Sequence, residues 1–315
     1  MISTHGEPSN FFGLETILNF QAGIDPTRNQ HERDPMPKPA MNFTVRLVAV
    51  AVSLLSAAAQ PAPPAATDPN LAAMYGDWVV RHVAVEEADG PHAAFHPDTP
   101  VLKDRVLTVS GDLAVFNGGD NDCPGVTVET RKAFGLGRWI GQRFPSRSNN
   151  GKTIAPELHE FGLDIPEQMV IPLILHCTNG SSKGAKADAW NDAVFLSLND
   201  GRMLMSYNGV AVFLLQRVTD TMSLKPSFDC AKAYSATEHS ICNSKALSGY
   251  DRSVAEAFHQ LISLRPDVKD AAKQEQISFL KKRDACGDAM SCISEVMSDR
   301  VSELMQEVDG AGVGN

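Results

Sequence analysis

The 315-residue sequence predicts an α+β protein, with a β-rich domain over residues 71–220 followed by a small, disulfide-stapled helical bundle over 226–308. Three observations carry this expectation. Two hairpin turn signals, Asn199-Asp200-Gly201 and Asn208-Gly209, alternate with apolar runs. After Val218 the apolar spacing changes from alternation to steps of three and four. Four cysteines, Cys230, Cys242, Cys286 and Cys292, are distributed along that helical stretch.

The β-rich segment opens with Trp78 to Val85. Arg105–Ser110 and Leu113–Phe116 flank Gly111-Asp112 and read as a hairpin. Met169 to His176 is an apolar run. Ala193–Leu198, Arg202–Tyr207 and Val210–Arg217 form a three-stranded meander around the two turn signals. Strands in this number suggest a barrel or a small sandwich. The stretch Gly135–Pro166 is less regular, and Ser146–Gly151 and Gly180–Gly184 read as exposed loops. Cys123 and Cys177 flank this region and are paired first among the fifteen pairings that six cysteines allow. Gly76-Asp77-Trp78 resembles the opening of calycin-type barrels. That resemblance implies a calycin-like barrel in which Arg217, on the last strand, stacks across Trp78 and closes one end.

In the helical segment, Ser235 and Glu238 fit a capping box ahead of a short helix that runs to Cys242. Leu247, Tyr250, Val254, Phe258 and Leu261 make one apolar stripe. Pro266 ends that helix, and a second runs from about Val268 to Ala285. A third carries Ile293, Met297, Val301 and Leu304 on one face, and Gly310–Asn315 reads as a frayed tail. Three such helices could pack antiparallel.

Upstream, residues 41–59 have the pattern of a signal peptide: Arg46, the apolar run Leu47–Leu55, and small residues Ala57 and Ala59 at a cleavage site. Such a run is too short to span a bilayer. Residues 1–40 are expected to be a non-native leader ahead of a start at Met41, or else a disordered one, and 60–70 a Pro/Ala linker. An even number of cysteines in an exported chain favours disulfides and an extracytoplasmic location, periplasmic or secreted. A formal charge of −10 argues against nucleic acid as a partner and suits a basic protein such as lysozyme, although solubility alone would also explain it.

The segment from about Pro226 to Leu304 resembles the LprI-type lysozyme inhibitor N-terminal domain. The resemblance runs through Cys230, Glu238, Ile241-Cys242, Leu247, Tyr250-Asp251, Val254, Gln276, Phe279-Leu280, Arg283-Asp284, Cys286, Cys292, Arg300 and Leu304. Phe258, Phe279 and Met297 stand where that family commonly has Tyr, Trp and Tyr. The resemblance implies bridges Cys230–Cys242 and Cys286–Cys292, which a bundle of this size needs to be secure. It also implies an inter-helix ion network of Asp251, Arg283, Asp284 and Arg300, for which specification of helix register is favoured over a binding role. With the exported compartment, it favours disulfides over zinc at these cysteines.

No catalytic, cofactor or metal site is expected. The chain lacks G-x-S-x-G and H-E-x-x-H. Glu157, His159 and Glu160 read as a solvated loop, and Asp120-Asn121-Asp122 as a turn lacking the further ligands of a cation loop. His176 reads as a strand residue beside Cys177. The expected function is therefore non-enzymatic binding, with lysozyme inhibition by occlusion as the specific form. A small-ligand carrier built on the barrel is the alternative. A hydrolase using Gly135–Pro166 and an envelope protein serving assembly or stress tolerance are further readings.

Overall fold

The computed structural model describes residues 69–85, 96–117, 121–144, 147–149, 152–154, 156–177, 190, 193–207, 209–219, 222 and 224–312. The leader, the signal-peptide segment, most of the linker and the loop 180–184 lie outside these residues.

The turn signals at Gly111-Asp112, Asn199-Asp200-Gly201 and Asn208-Gly209 all fall between paired antiparallel strands. The strands are β1 (Gly76–Val85), β2 (Val106–Ser110), β3 (Leu113–Phe116), β4 (Asn121–Pro124), β5 (Val126–Thr130), β6 (Phe134–Gly135), β7 (Arg147–Asn149), β8 (Lys152–Ile154), β9 (Met169–Val170), β10 (Pro172–Cys177), β11 (Val194–Ser197), β12 (Met203–Tyr207) and β13 (Ala211–Arg217). Nine of them form one antiparallel sheet in the order β4-β3-β2-β1-β13-β12-β11-β10-β5. Its two edge strands, β4 and β5, are consecutive in the chain and separated by Gly125 alone, so the sheet must curl until its edges approach. It is a nearly closed barrel. The expected Cys123–Cys177 bridge is present and ties β4, on one edge, to β10, which pairs with β5 on the other.

The barrel's two faces are both apolar. Val80, Leu107, Phe116, Phe195, Met203, Met205, Phe213 and Leu215 belong to the interior core. Outward-facing Leu196, Leu204, Val212 and Leu214 are covered by the excursion between β5 and β10. That excursion is more regular than its sequence suggests. It contains helix α2 (Leu136–Arg143) and a turn of 3-10 helix at Leu158–Phe161, and both pack on the outer face through Trp139, Ile140 and Phe161. Gly137 N–H donates to the Glu167 carboxylate at 2.9 Å, which supplies the α2 amino terminus with the acceptor its own cap lacks. Within the stretch expected as a loop at 146–151, Arg147–Asn149 forms β7 and pairs with β8; residues 146, 150 and 151 lie outside the described residues. Met169 to His176 is not one strand but two, split at Ile171, because Met169–Val170 pairs with β6. Asn121 and Asp122 were expected in a turn. They form β4 instead, since pairing with Phe116 and Val115 extends the sheet by one strand.

A short helix α1 (Pro69–Met74) enters the barrel end. Trp78 and Arg217 face one another in register on β1 and β13, and the Arg217 guanidinium sits 4.2 Å from the Trp78 ring centroid. Trp78 Nε1 donates to Met74 O at 2.8 Å, and Arg217 donates to the carbonyls of Ala73 and Tyr75. The glycine of the Gly76-Asp77-Trp78 motif has a steric reason. A Cβ there would stand 2.9 Å from Arg217 Nη1, and its φ is +117°.

The bundle follows as α3 (Ala236–Asn243), α4 (Lys245–Leu264), α5 (Lys269–Asp284) and α6 (Met290–Gly312). The capping box forms as expected, with Ser235 Oγ accepting from Glu238 N–H and Glu238 accepting from Ser235 N–H. The stripe of α4 packs with Phe279, Ile293, Met297, Val301 and Leu304 in one core. Asp251 meets Arg283, and Gln276 meets Arg300, so consecutive long helices run antiparallel. Bridges Cys230–Cys242 and Cys286–Cys292 are present. The tail expected to fray at Gly310 stays helical through Gly312.

Barrel and bundle belong to one compact unit, Ala66–Asn315. Strand β1 carries an irregularity between Val80 and His82, which leaves Arg81 as an extra residue directed outward. Arg81 reaches the Asp104 carboxylate at 3.3 Å, and Arg252 of α4 reaches the same carboxylate at 3.0 Å. Beside them the Arg105 guanidinium lies 3.6 Å from the Tyr250 ring centroid, and Ser253 Oγ donates to Lys103 O at 3.3 Å. Helix α4 comes so near that a Cβ on Gly249 would stand 2.3 Å from Asp104 O.

Candidate functional site

The four residues expected to form one ion network fall into two clusters. The first centres on Arg283, near the end of α5. Its Nε and Nη2 donate to Asp284 Oδ1 at 2.9 and 2.8 Å, and Nη1 stands 3.7 Å from Asp251 Oδ1 on α4. The backbone N–H and hydroxyl of Ser227 both donate to Asp251 Oδ2 at 2.6 Å. Arg283 and Asp251 are 3% and 7% exposed. Burial pushes the Asp251 carboxyl above its usual range, against the pull of Ser227, Arg283 and Arg252. With nearly every polar atom engaged and almost no surface, this cluster joins α4, α5 and the entry segment rather than meeting a ligand. Ser227 carries no signal in the sequence, because a lone serine after Pro226 in the segment leading to Cys230 matches no motif.

Arg300 does not join that cluster. It lies on α6, 5% exposed, with Nε donating to Gln276 Oε1 at 3.1 Å and Nη1 to Glu303 Oε2 at 3.2 Å. Glu275 stands 3.6 Å away. Its Nη2 is buried without a hydrogen-bond partner. Arg300 lines a groove of about 620 Å³ between α5 and α6, with Phe279 and Val296 as its apolar lining. Four carboxylates, Glu275, Asp299, Glu303 and Glu307, line it with one exposed cation, Lys282. The sequence does hold a signal for this ridge, since Asp299, Glu303 and Glu307 recur every four residues.

The remaining residues weighed as chemistry are dispersed. His159 lies 3.2 Å from Glu157, with side chains 72% and 68% exposed, and Glu160 is occupied by the cap of its own 3-10 turn. His176 lies on β10, 3.4 Å from Glu129 on β5. Among the described residues no group of three or more His, Cys, Asp or Glu side chains is placed to hold a metal ion. His82 is held between the Asp98 carboxylate at 3.0 Å and Glu160 O at 2.8 Å, an arrangement that fastens the outer excursion to β1. Among the described residues no helix is long and apolar enough to cross a membrane.

No family model, curated protein or solved structure matches this chain. The Arg283 cluster is sealed, the barrel interior is filled, and the groove between α5 and α6 is open and charged.

Proposed function

We propose that the protein is an exported, non-enzymatic binding protein, and that its partner is a basic protein of the lysozyme kind, which it inhibits by covering the substrate cleft. The observation that carries this reading is the filled barrel. Phe116, Phe195 and Phe213 are fully buried inside it, with Phe116 and Phe213 stacked at 6.0 Å. Side chains of this size occupy the space a carried molecule would need, so we favour a surface-acting role over the small-ligand carrier. Three disulfides support an oxidising compartment, as does the signal-peptide pattern at 41–59. A cross-linked body with barrel and bundle in contact loses little conformational entropy on binding. The charge of −10 favours encounter with a basic enzyme. The resemblance of residues 226–304 to the LprI-type domain supplies the specific candidate.

Cell-wall lysis by lysozymes of several classes, with and without the purified oxidised protein, tests the reading. Saturable inhibition of at least one class is expected. Unchanged lysis across all classes contradicts it.

A further inference from the structure

We infer that the groove between α5 and α6 is a docking site for a basic stretch of polypeptide on the partner. The inference rests on the binding-protein reading above and adds the surface and the chemistry of recognition. Asp299, Glu303 and Glu307 stack along one side of α6 at four-residue steps, and all three are exposed. Like charges at that spacing repel and weaken a helix, so beyond the Glu303–Arg300 pair the ridge does not favour folding. Arg300 on the floor engages Glu303 and lies near Glu275, but those carboxylates remain 59% and 54% exposed. Only Lys282 opposes them at the rim, so the groove keeps an excess of negative charge.

The second observation is the Arg300 guanidinium itself. It is 95% buried, lines the groove, and its Nη2 lacks a partner. An unpaired buried donor is costly, and a ligand carbonyl oxygen is the acceptor that completes it once the guanidinium, whose Nη2 is closed to solvent, turns toward the groove. Phe279 and Val296, core residues each 8% exposed, show the groove a narrow apolar edge for the methylene stem of a lysine or arginine, whose charged head then reaches Glu303 and Glu307. One ligand class supplies a carbonyl, an apolar stem and a positive head together, and that is a basic polypeptide. An acidic peptide or a nucleic acid would meet the carboxylate ridge first and be repelled.

The experiment titrates the full oxidised protein into a labelled peptide of alternating lysine and leucine, with a glutamate–leucine peptide as control, and reads fluorescence anisotropy. The variants are Glu303→Lys combined with Glu307→Lys, and separately Lys282→Glu. All three positions are exposed, but Glu303→Lys also removes a carboxylate partner of buried Arg300, so circular dichroism and thermal unfolding check each variant and Glu307→Lys alone is measured beside the pair. We expect saturable binding of the lysine peptide alone, about tenfold weaker in the double variant and tighter in Lys282→Glu. Equal binding of both peptides, or lysine-peptide affinity unchanged in the double variant, overturns the inference. Lysozyme separates this from the broader reading. If wild type and double variant inhibit a lysozyme equally, the groove assignment fails and the inhibitor reading stands. If no lysozyme is inhibited while peptide binding depends on Glu303 and Glu307, the groove stands and the inhibitor reading falls.

Discussion

The guanidinium carbon of Arg105, just ahead of β2, stands over the Tyr250 ring on α4, 3.6 Å from its centroid. Tyr250 is 2% exposed and Arg105 is also 2% exposed, so the contact is sealed within the seam between barrel and bundle. Asp104 next to it takes Arg81 from the barrel and Arg252 from the bundle. The chain is therefore not two domains on a tether.

Gly249→Ala is the sharpest local probe. In an ordinary helix interior this change stabilises by about 0.5–1 kcal/mol. Here the added Cβ would stand 2.3 Å from a backbone oxygen, Asp104 O, which cannot swing away as a flexible side chain could. The expected outcome is a loss of about 1–3 kcal/mol in urea unfolding. A gain would mean that α4 does not press on the 96–105 segment.

The three disulfides should rank by the length of chain they close. Cys123 and Cys177 are 54 residues apart, Cys230 and Cys242 are 12, and Cys286 and Cys292 are 6. In the chain-entropy account, replacing each pair with serine costs about 4, 3 and 2 kcal/mol respectively. Thermal unfolding of the three double variants checks the order. If loss of the Cys123–Cys177 bridge proved the mildest, the barrel would not depend on it to hold its edges together.

Arg283→Met leaves Asp251 buried with only Ser227 and the more distant Arg252 to offset its charge. Breaking a buried pair from one side costs about 3–5 kcal/mol. Asp251→Leu combined with Arg283→Met removes both charges, and chemical denaturation should show the double variant losing less than Arg283→Met alone. A double variant that is worse than either single change would assign the pair a net stabilising role.

Asp77 links β1 to the bundle, accepting from Lys245 at the start of α4 and from Thr108 Oγ1 at 2.7 Å. Burial resists its ionisation, but the hydrogen bonds from Lys245 and Thr108 outweigh burial and hold its carboxyl below the usual range. A lowered native value means that the unfolded state takes up the proton first as pH falls. Its contribution is thus present above the ordinary aspartate pKa of about 3.9 and lost on further acidification. With Lys245 half exposed, that contribution is about 0.5 kcal/mol after screening. Asp77→Asn should show a correspondingly shallower loss of stability between neutral pH and about pH 3. Identical acid profiles for variant and wild type would contradict the pairing.

The elements legible in the sequence were those specified locally. The two turns around β12 carry Gly at positions of positive φ, Gly201 and Gly209, and the Ser235 capping box needs only residues 235 to 238. The Trp78–Arg217 stack was legible through resemblance, because the glycine that makes room for the guanidinium is part of the motif. β4 was missed because Asn121-Asp122-Cys123-Pro124 has low strand propensity and is specified by its partner, β3. α2 was missed because its two glycines mask the periodicity of Leu136, Trp139 and Ile140. Placing Arg300 with Arg283 failed because a buried arginine's partner depends on which helix faces it, and sequence order does not show that. The seam at Arg105 and Tyr250 lies across 145 residues of chain and left no local trace.

The chain carries its own probes for the central claim that barrel and bundle form one body. All three tryptophans, Trp78, Trp139 and Trp190, belong to the barrel and its outer layer, whereas most of the helix lies in α3 to α6. Urea unfolding of the oxidised protein, followed in parallel by tryptophan fluorescence and by circular dichroism at the helical band, reads the two parts separately. Coincident transitions with one midpoint are predicted. Two resolved midpoints, with the helical signal persisting after the fluorescence change or the reverse, would contradict the account.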